Sequence, residues 1–172
     1  MKEMIKFGFI LGVICIVAAG LLAGVDILTK PKILAQEKLE EESSLKAIFP
    51  SAHHFTEVKE NGEIIYYKAF DSDGKFMGIA FKASGKGYAG EVKTLAGMLK
   101  NGEIVAIKIL SHNETPGLGS RITAANFTDR FKGRSDLSKV EAITGATISS
   151  RAVIDSVKKE AEEIKVKVKN EK

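Results

Sequence analysis

Cysteine occurs once in this chain, at Cys15 inside an apolar stretch, and that scarcity removes whole classes of chemistry. One thiol forms no intrachain disulfide, completes no CxxC zinc site and holds no iron–sulfur cluster. The three histidines, His53, His54 and His112, lack metal-ligand spacing. Tryptophan is absent, and the few aromatics sit mostly in strand-like positions. The net charge of +4 comes from basic residues spread along the chain, with one lysine-rich cluster at its C-terminus. Nucleic-acid binding wants a basic stripe interleaved with stacking aromatics, so no nucleic-acid partner is expected. No Gly-Lys-Ser/Thr occurs, which excludes a Walker phosphate loop. Any redox chemistry here needs a cofactor held by something other than cysteine.

What is present begins with the opposite of scarcity. From Phe7 to Val25 no residue is charged, and the run is rich in Ile, Leu, Val, Ala and Gly. At a rise of about 1.5 Å per residue it extends about 28 Å, close to the ~30 Å hydrocarbon core of a bilayer. Lys2 and Lys6 close one side; Asp26, Lys30 and Lys32 close the other. A cleaved signal peptide is the competing reading, with Ala18, Ala19 and Gly20 as small residues. The run continues through Leu21, Leu22 and Val25, past a signal core, which favours an uncleaved anchor. Lipid attachment at Cys15 is disfavoured by Ile14 where a small residue is needed. Lysines flank both ends, so charge counting does not orient the helix. The 172 residues have room for one domain plus such an appendage. The expected division is a tail and anchor over 1–28, a helical stalk over 29–50 and a folded domain over 51–172.

Lys30–Phe49 reads as a helix ending near Pro50, with Glu40-Glu41-Glu42 as a solvated face. The next sixty residues are β in character. Phe55–Lys59 and Glu63–Phe70 flank Asn61-Gly62, a strong hairpin signal. Lys75–Ala83, Glu91–Leu99 and Glu103–Leu110 follow, separated by turn residues at Asp71–Gly74, Ser84–Gly90 and Asn101-Gly102. The pattern predicts an antiparallel meander of about five strands within an α+β fold. Gly85-Lys86-Gly87-Tyr88-Ala89-Gly90 matches G-x-G-x-x-G formally, but the dinucleotide fingerprint must open a helix, and here a strand follows. These glycines read as a bend where backbone passes close to another strand or to a ligand, the strand being the commoner case.

His112–Ser120 carries Pro116, Gly117 and Gly119, a rigid loop at a strand end, where binding groups concentrate. Glu114 and Thr115 are positioned to meet a polar ring and Leu118 an apolar one; a structural turn with an exposed acid is an equally ordinary reading. A short helix is expected around Thr123–Phe131, ended by Gly133. Glu141–Ser150 then holds four hydroxyls, Gly145 and Ala146 just ahead of a helix expected to start near Ser149. The first turn of a helix has unpaired N–H groups and a partial positive charge, so it receives phosphate readily. The same residues also make a plain turn and cap, which is the commoner use of such clusters. Val153, Val157, Ala161, Ile164 and Val168 form one apolar stripe along the last helix.

Taken together, the anchor, the Gly85–Gly90 bend, the His112–Gly119 loop and Thr144-Gly145-Ala146-Thr147 occur in an order that resembles the G subunit of the Rnf/Rsx ion-translocating electron-transport complex. That family is related to the C subunit of the sodium-pumping NADH:quinone reductase. The resemblance implies FMN attached covalently through its phosphate to Thr147. A flavin transferase installs it from FAD outside the cytoplasm. Thr144, Gly145 and Ala146 become recognition and backbone contacts, and Glu114, Thr115, Gly117 and Leu118 line the flavin. Glu141 departs from the Asp usual six residues before the modified Thr, keeping the charge with a longer reach. The resemblance further implies a single-pass protein of the cell (inner) membrane, N-terminus cytoplasmic. Its extracytoplasmic FMN-binding domain has a mainly antiparallel sheet packed by helices. Its partners are the other subunits of the complex and membrane lipid. Electron flow through the complex moves Na⁺ or H⁺, and no side chain is required as a catalytic acid or base. The alternatives are a cofactor-free assembly module and a reductase binding FMN reversibly.

Overall fold

The computed structural model describes residues 2–60 and 62–170. Asn61 of the first turn signal, Met1 and Glu171–Lys172 lie outside the described residues. The chain divides into two compact units, Met1–Glu42 and Ser43–Lys172. Helix α1 runs Lys2–Ile48, with Pro31 inside it. The expected anchor and stalk are thus one continuous element. Within the first unit its apolar side chains, among them Phe9, Ile16 and Leu22, are exposed around the whole helix. The helix is long and apolar enough to cross a membrane by length and composition.

The second unit is built on a five-stranded antiparallel sheet in sequence order: β1 (His54–Glu60), β2 (Glu63–Phe70), β3 (Phe76–Lys86), β4 (Glu91–Leu99) and β5 (Ile104–Ser111). Alternation along the strands gives the sheet two apolar faces. Tyr66, Ile79, Phe81, Val92, Ala96 and Met98 point to one face. Helix α3 (Thr147–Asn170) covers that face with Val153, Ile154, Val157, Ala161 and Ile164. Four of these five belong to the stripe expected from the sequence; Ile154 widens it.

Tyr67, Ala69, Ala80 and Leu95 point to the opposite face, where Leu45, Ile48 and Phe49 pack on them. Gly78 on β3 and Gly97 on β4 make the room. A methyl on Gly97 would overlap Ile48 and lie 3.0 Å from the Phe49 ring, and one on Gly78 would lie 2.9 Å from it. The last turn of α1 is therefore core of the folded unit. That unit begins at Ser43, ahead of the boundary at residue 51 drawn from the sequence. Pro50 marked the end of the helix and hid the fact that its final apolar residues already belong to the domain.

The segment after β5 differs from the single short helix expected there. It forms a 3₁₀ turn (Gly119–Thr123), helix α2 (Ala125–Thr128) and a second 3₁₀ turn (Asp129–Phe131). Phe127 and Phe131 stack edge to face at 5.4 Å beneath it. Gly133, at φ +69°, ends the segment and donates to the Ile104 carbonyl, which binds this cover to β5. A third 3₁₀ turn, Leu137–Lys139, is capped by Asp136, whose carboxyl is held below its ordinary pKa by the Ser138 hydroxyl and N–H.

One buried hydroxyl is out of keeping with this core. Thr94 Oγ1 has no hydrogen-bond partner among the described residues. A buried hydroxyl without a partner costs about 1–3 kcal/mol, and valine has nearly the same shape. Thr94→Val is expected to raise the unfolding free energy by about 1 kcal/mol, read as a higher midpoint in denaturant; an unchanged or lower midpoint contradicts this.

Candidate functional site

The N-terminal end of α3 and the two loops facing it enclose a cleft of about 400 Å³. One wall is a turn and a helix start. Ala146 N–H donates to the Ile143 carbonyl, closing a four-residue turn whose third residue, Gly145, takes φ +83°. A turn of this kind needs positive φ at its third position, which is why glycine stands there. The helix then begins at Thr147, two residues before the expected start. Ser150 Oγ locks the junction by accepting from Ile143 N–H at 3.1 Å and donating to the Ala146 carbonyl at 2.7 Å.

Ala146, immediately before the helix, has no side-chain oxygen to cap it. Ser150 N–H makes the first intrahelical bond, to Ala146, so the N–H groups of Thr147, Ile148 and Ser149 precede the ladder. Among the described residues nothing accepts from these three. Thr147, which carries the first of the three, is exposed. Two guanidinium groups brace the backbone leading in: Arg121 donates to the Thr144 carbonyl at 3.2 Å, and Arg130 to the Glu141 carbonyl at 2.8 Å.

The opposite wall is the loop after β5. Glu114 is 5% exposed, not the exposed acid that one reading of the sequence allowed. Its Oε2 accepts from the Ser149 hydroxyl at 2.5 Å and its Oε1 from Ala89 N–H at 3.1 Å. One carboxylate thus ties together α3, the β3–β4 connection and the loop. Those partners lie 35 and 25 residues away, so no local pattern announces them. The glycines around it are spaces for it. A methyl on Gly87 or Gly119 would overlap Glu114 oxygens, and one on Gly85 would overlap the Ala152 carbonyl of α3. The bend at Gly85–Gly90 therefore meets a helix and a carboxylate as well as the neighbouring strand β4, with which Gly85 and Lys86 pair. Gly119→Ala is expected to push Glu114 off Ser149 and cost about 1–3 kcal/mol, measured by thermal unfolding. A cost below about 0.5 kcal/mol contradicts the packing described.

Of the residues expected from the sequence, Glu114, Thr115, Leu118, Gly145, Ala146 and Thr147 line the cleft. Thr144 and Gly117 do not. Thr144 sits in the turn outside it, and Gly117, at φ +78°, donates to Ser120 Oγ and shapes the loop. Tyr88, Gly119, Ile148 and Ser149 also line it, none of them among the flavin contacts that the resemblance implies. A tyrosine between glycines at a hairpin tip was the one signal available for Tyr88.

A cleft of this size with an open helix N-terminus and apolar side walls suits a small molecule bearing a phosphate. Comparison with known proteins gives the class. Residues 87–162 match the FMN-binding domain family, and residues 1–48 match the RnfG N-terminal region. The chain is 34% identical to the G subunit of the ion-translocating oxidoreductase complex of Methanosarcina acetivorans, over 91% of this chain and 92% of that one. It is 32% identical to the protein of the same name from Shewanella piezotolerans, over 91% and 87%. Against the G subunit of the proton-translocating ferredoxin:NAD(+) oxidoreductase complex of Clostridium ljungdahlii it is 30% identical, over 90% and 88%. The chain belongs to the G-subunit family of ion-translocating oxidoreductase complexes.

Solved structures share the fold. The C subunit of the Na(+)-translocating NADH-quinone reductase from Parabacteroides distasonis superposes with TM-score 0.51 at 21% identity, over 66% of this chain and 77% of that one. Shewanella oneidensis NqrC gives 0.50 at 21% identity, over 63% of this chain and 64% of that one.

Proposed function

We propose that this protein is an electron-carrying subunit of a membrane-bound, ion-translocating complex, with FMN esterified through its phosphate to Thr147 Oγ1. The observation that carries the reading is an exposed threonine at the first position of α3, on a turn whose first three N–H groups have no acceptor among the described residues. A phosphodiester keeps one negative charge, and that charge is favoured where the helix dipole and free donors converge. The chain's own residues fit the group in other ways. Gly145 and Ala146 are small and leave the approach to the hydroxyl open, and Leu118 and Ile148 offer apolar surface to a ring. Glu114, drawn inward by Ser149 and Ala89, stiffens the cleft. FMN, when bound, supplies the reversible acceptance of electrons that no side chain here provides.

Attachment replaces the Thr147 hydroxyl proton by a flavin phosphoryl group. FAD is the donor and AMP the leaving group, so a flavin transferase is a required maturation partner. Glu141 is exposed, its carbonyl accepts from Arg130, and it offers its carboxylate to that transferase. In this reading α1 is a single-pass anchor in contact with lipid, the N-terminus is cytoplasmic and the second unit lies outside the cytoplasm. The neighbouring subunits couple electron flow to movement of Na⁺ or H⁺. Mass spectrometry of the natively made protein, followed by peptide mapping, tests the bond: the expected result is one FMN phosphoryl addition on the peptide containing Thr147. An unmodified peptide from assembled complex overturns the proposal and favours a cofactor-free assembly module.

A further inference from the structure

Beside the flavin cleft lies a second groove of about 530 Å³, between the end of β3 and the first turns of α3. The two share Thr147 and Ile148. We propose that this groove is the docking surface for an acidic face of the neighbouring subunit that exchanges electrons with the flavin; the inference rests on FMN being carried at Thr147. Three cations, Lys86, Arg151 and Lys159, line the groove against one acid, Asp155. All four are exposed. No hydrogen bond or ion pair engages the side chain of Lys86 or Arg151 among the described residues, and that of Lys159 has a loose 3.9 Å pair with Glu163.

An apolar centre adjoins these charges. Tyr88, Leu118 and Ile148 are 74%, 55% and 56% exposed and line the flavin cleft; with the ring against Leu118 and Ile148, Tyr88 and the flavin itself are what this centre offers a partner. Outside α1, the other exposed large apolar residues among those described, Ile64 and Val166, lie in neither cleft. An apolar centre containing tyrosine, with a rim containing arginine, has the composition of a protein interface. The net positive rim selects an acidic partner and orients it. A bilayer is a poorer match, because the cations line a concavity that a flat anionic surface does not fill. Contact here brings the partner beside the ring and leaves Thr147 between the two clefts. Electrons pass from the partner's reduced centre to the flavin, oxidising one and reducing the other equally. Lys86, Arg151 and Lys159 take up neither electron nor proton.

The test uses the complete complex, purified with the triple variant Lys86→Glu/Arg151→Glu/Lys159→Glu. Its control carries Lys75→Glu/Lys100→Glu/Lys108→Glu, reversed at exposed lysines away from both clefts. Covalent flavin is read by in-gel fluorescence, and the rate of its reduction by the physiological donor by absorbance. The expected result is flavin content equal to wild type in both variants, with reduction slowed at least about tenfold in the groove variant alone. The wild-type rate is expected to fall towards that of the groove variant as salt rises to about 0.5 M, where exposed charges are screened. A photo-crosslinker at Ser156, which also lines the groove, is expected to capture an acid-rich peptide of another subunit. Equal reduction rates overturn the docking surface, as does crosslinking to lipid or to a second copy of this chain. Loss of flavin from the groove variant alone overturns it too, assigning the cations to maturation. Wild-type complex without covalent flavin would instead sink the FMN reading.

Discussion

Thr147→Ala is expected to abolish all flavin that remains with the polypeptide after denaturation, while leaving the folded unit intact. The residue is exposed at the first position of α3, and its side chain holds none of the bonds that secure the junction. Those belong to Ser150 and to the backbone of Ile143 and Ala146. Substitution at such a site changes stability by less than about 0.5 kcal/mol, so unfolding does not account for the loss. Thr147→Ser keeps a hydroxyl on the same carbon and is expected to retain covalent flavin. Ser149→Ala, in the same stretch, is also expected to retain it. In-gel fluorescence of the three variants, made with a flavin transferase, separates the cases. Persistent fluorescence in Thr147→Ala would place the ester on another hydroxyl.

Phe49→Ala is expected to cost about 3–5 kcal/mol, the range for removing a buried phenylalanine from a packed core. Its ring is 3% exposed and fills the space left by Gly78 and Gly97. Alanine would leave a void lined by Tyr67, Ala80 and Leu95, with strands too rigid to close it. Circular dichroism of the full-length chain in detergent, followed through thermal unfolding, measures the loss. A change below about 1 kcal/mol would mean that the end of α1 does not pack on the sheet. Gly97→Val approaches the same contact from the strand side and is expected to cost about 1–3 kcal/mol through overlap with Ile48 and Phe49.

These two variants also mark how far the sequence could be read. The strands were legible because alternation and turn residues are local signals: Glu63–Phe70 and Glu91–Leu99 were drawn with the bounds they have in the sheet. β3 was cut short at Ala83 because Gly85 and Lys86 read as a bend, although both pair with β4 as far as Glu91. The hydroxyl cluster at 144–150 was legible as a helix start, but the two-residue difference between a start at Ser149 and one at Thr147 decides which hydroxyl stands at the opening. Glu114 was visible only as a loop acid. Its burial depends on Ser149 and Ala89, which only the fold brings to it. Leu45, Ile48 and Phe49 carried helical spacing, but nothing nearby disclosed that a glycine on each of two strands awaited them.

The position of Phe49 has a practical corollary for anyone making a soluble fragment. Cutting at Ser51, just past the proline, would strip Leu45, Ile48 and Phe49 from the sheet and leave Tyr67, Ala69, Ala80 and Leu95 bare to water. Such a product is expected to clump or to degrade. A fragment starting at or shortly before Ser43 keeps its own lid and is the one to crystallise.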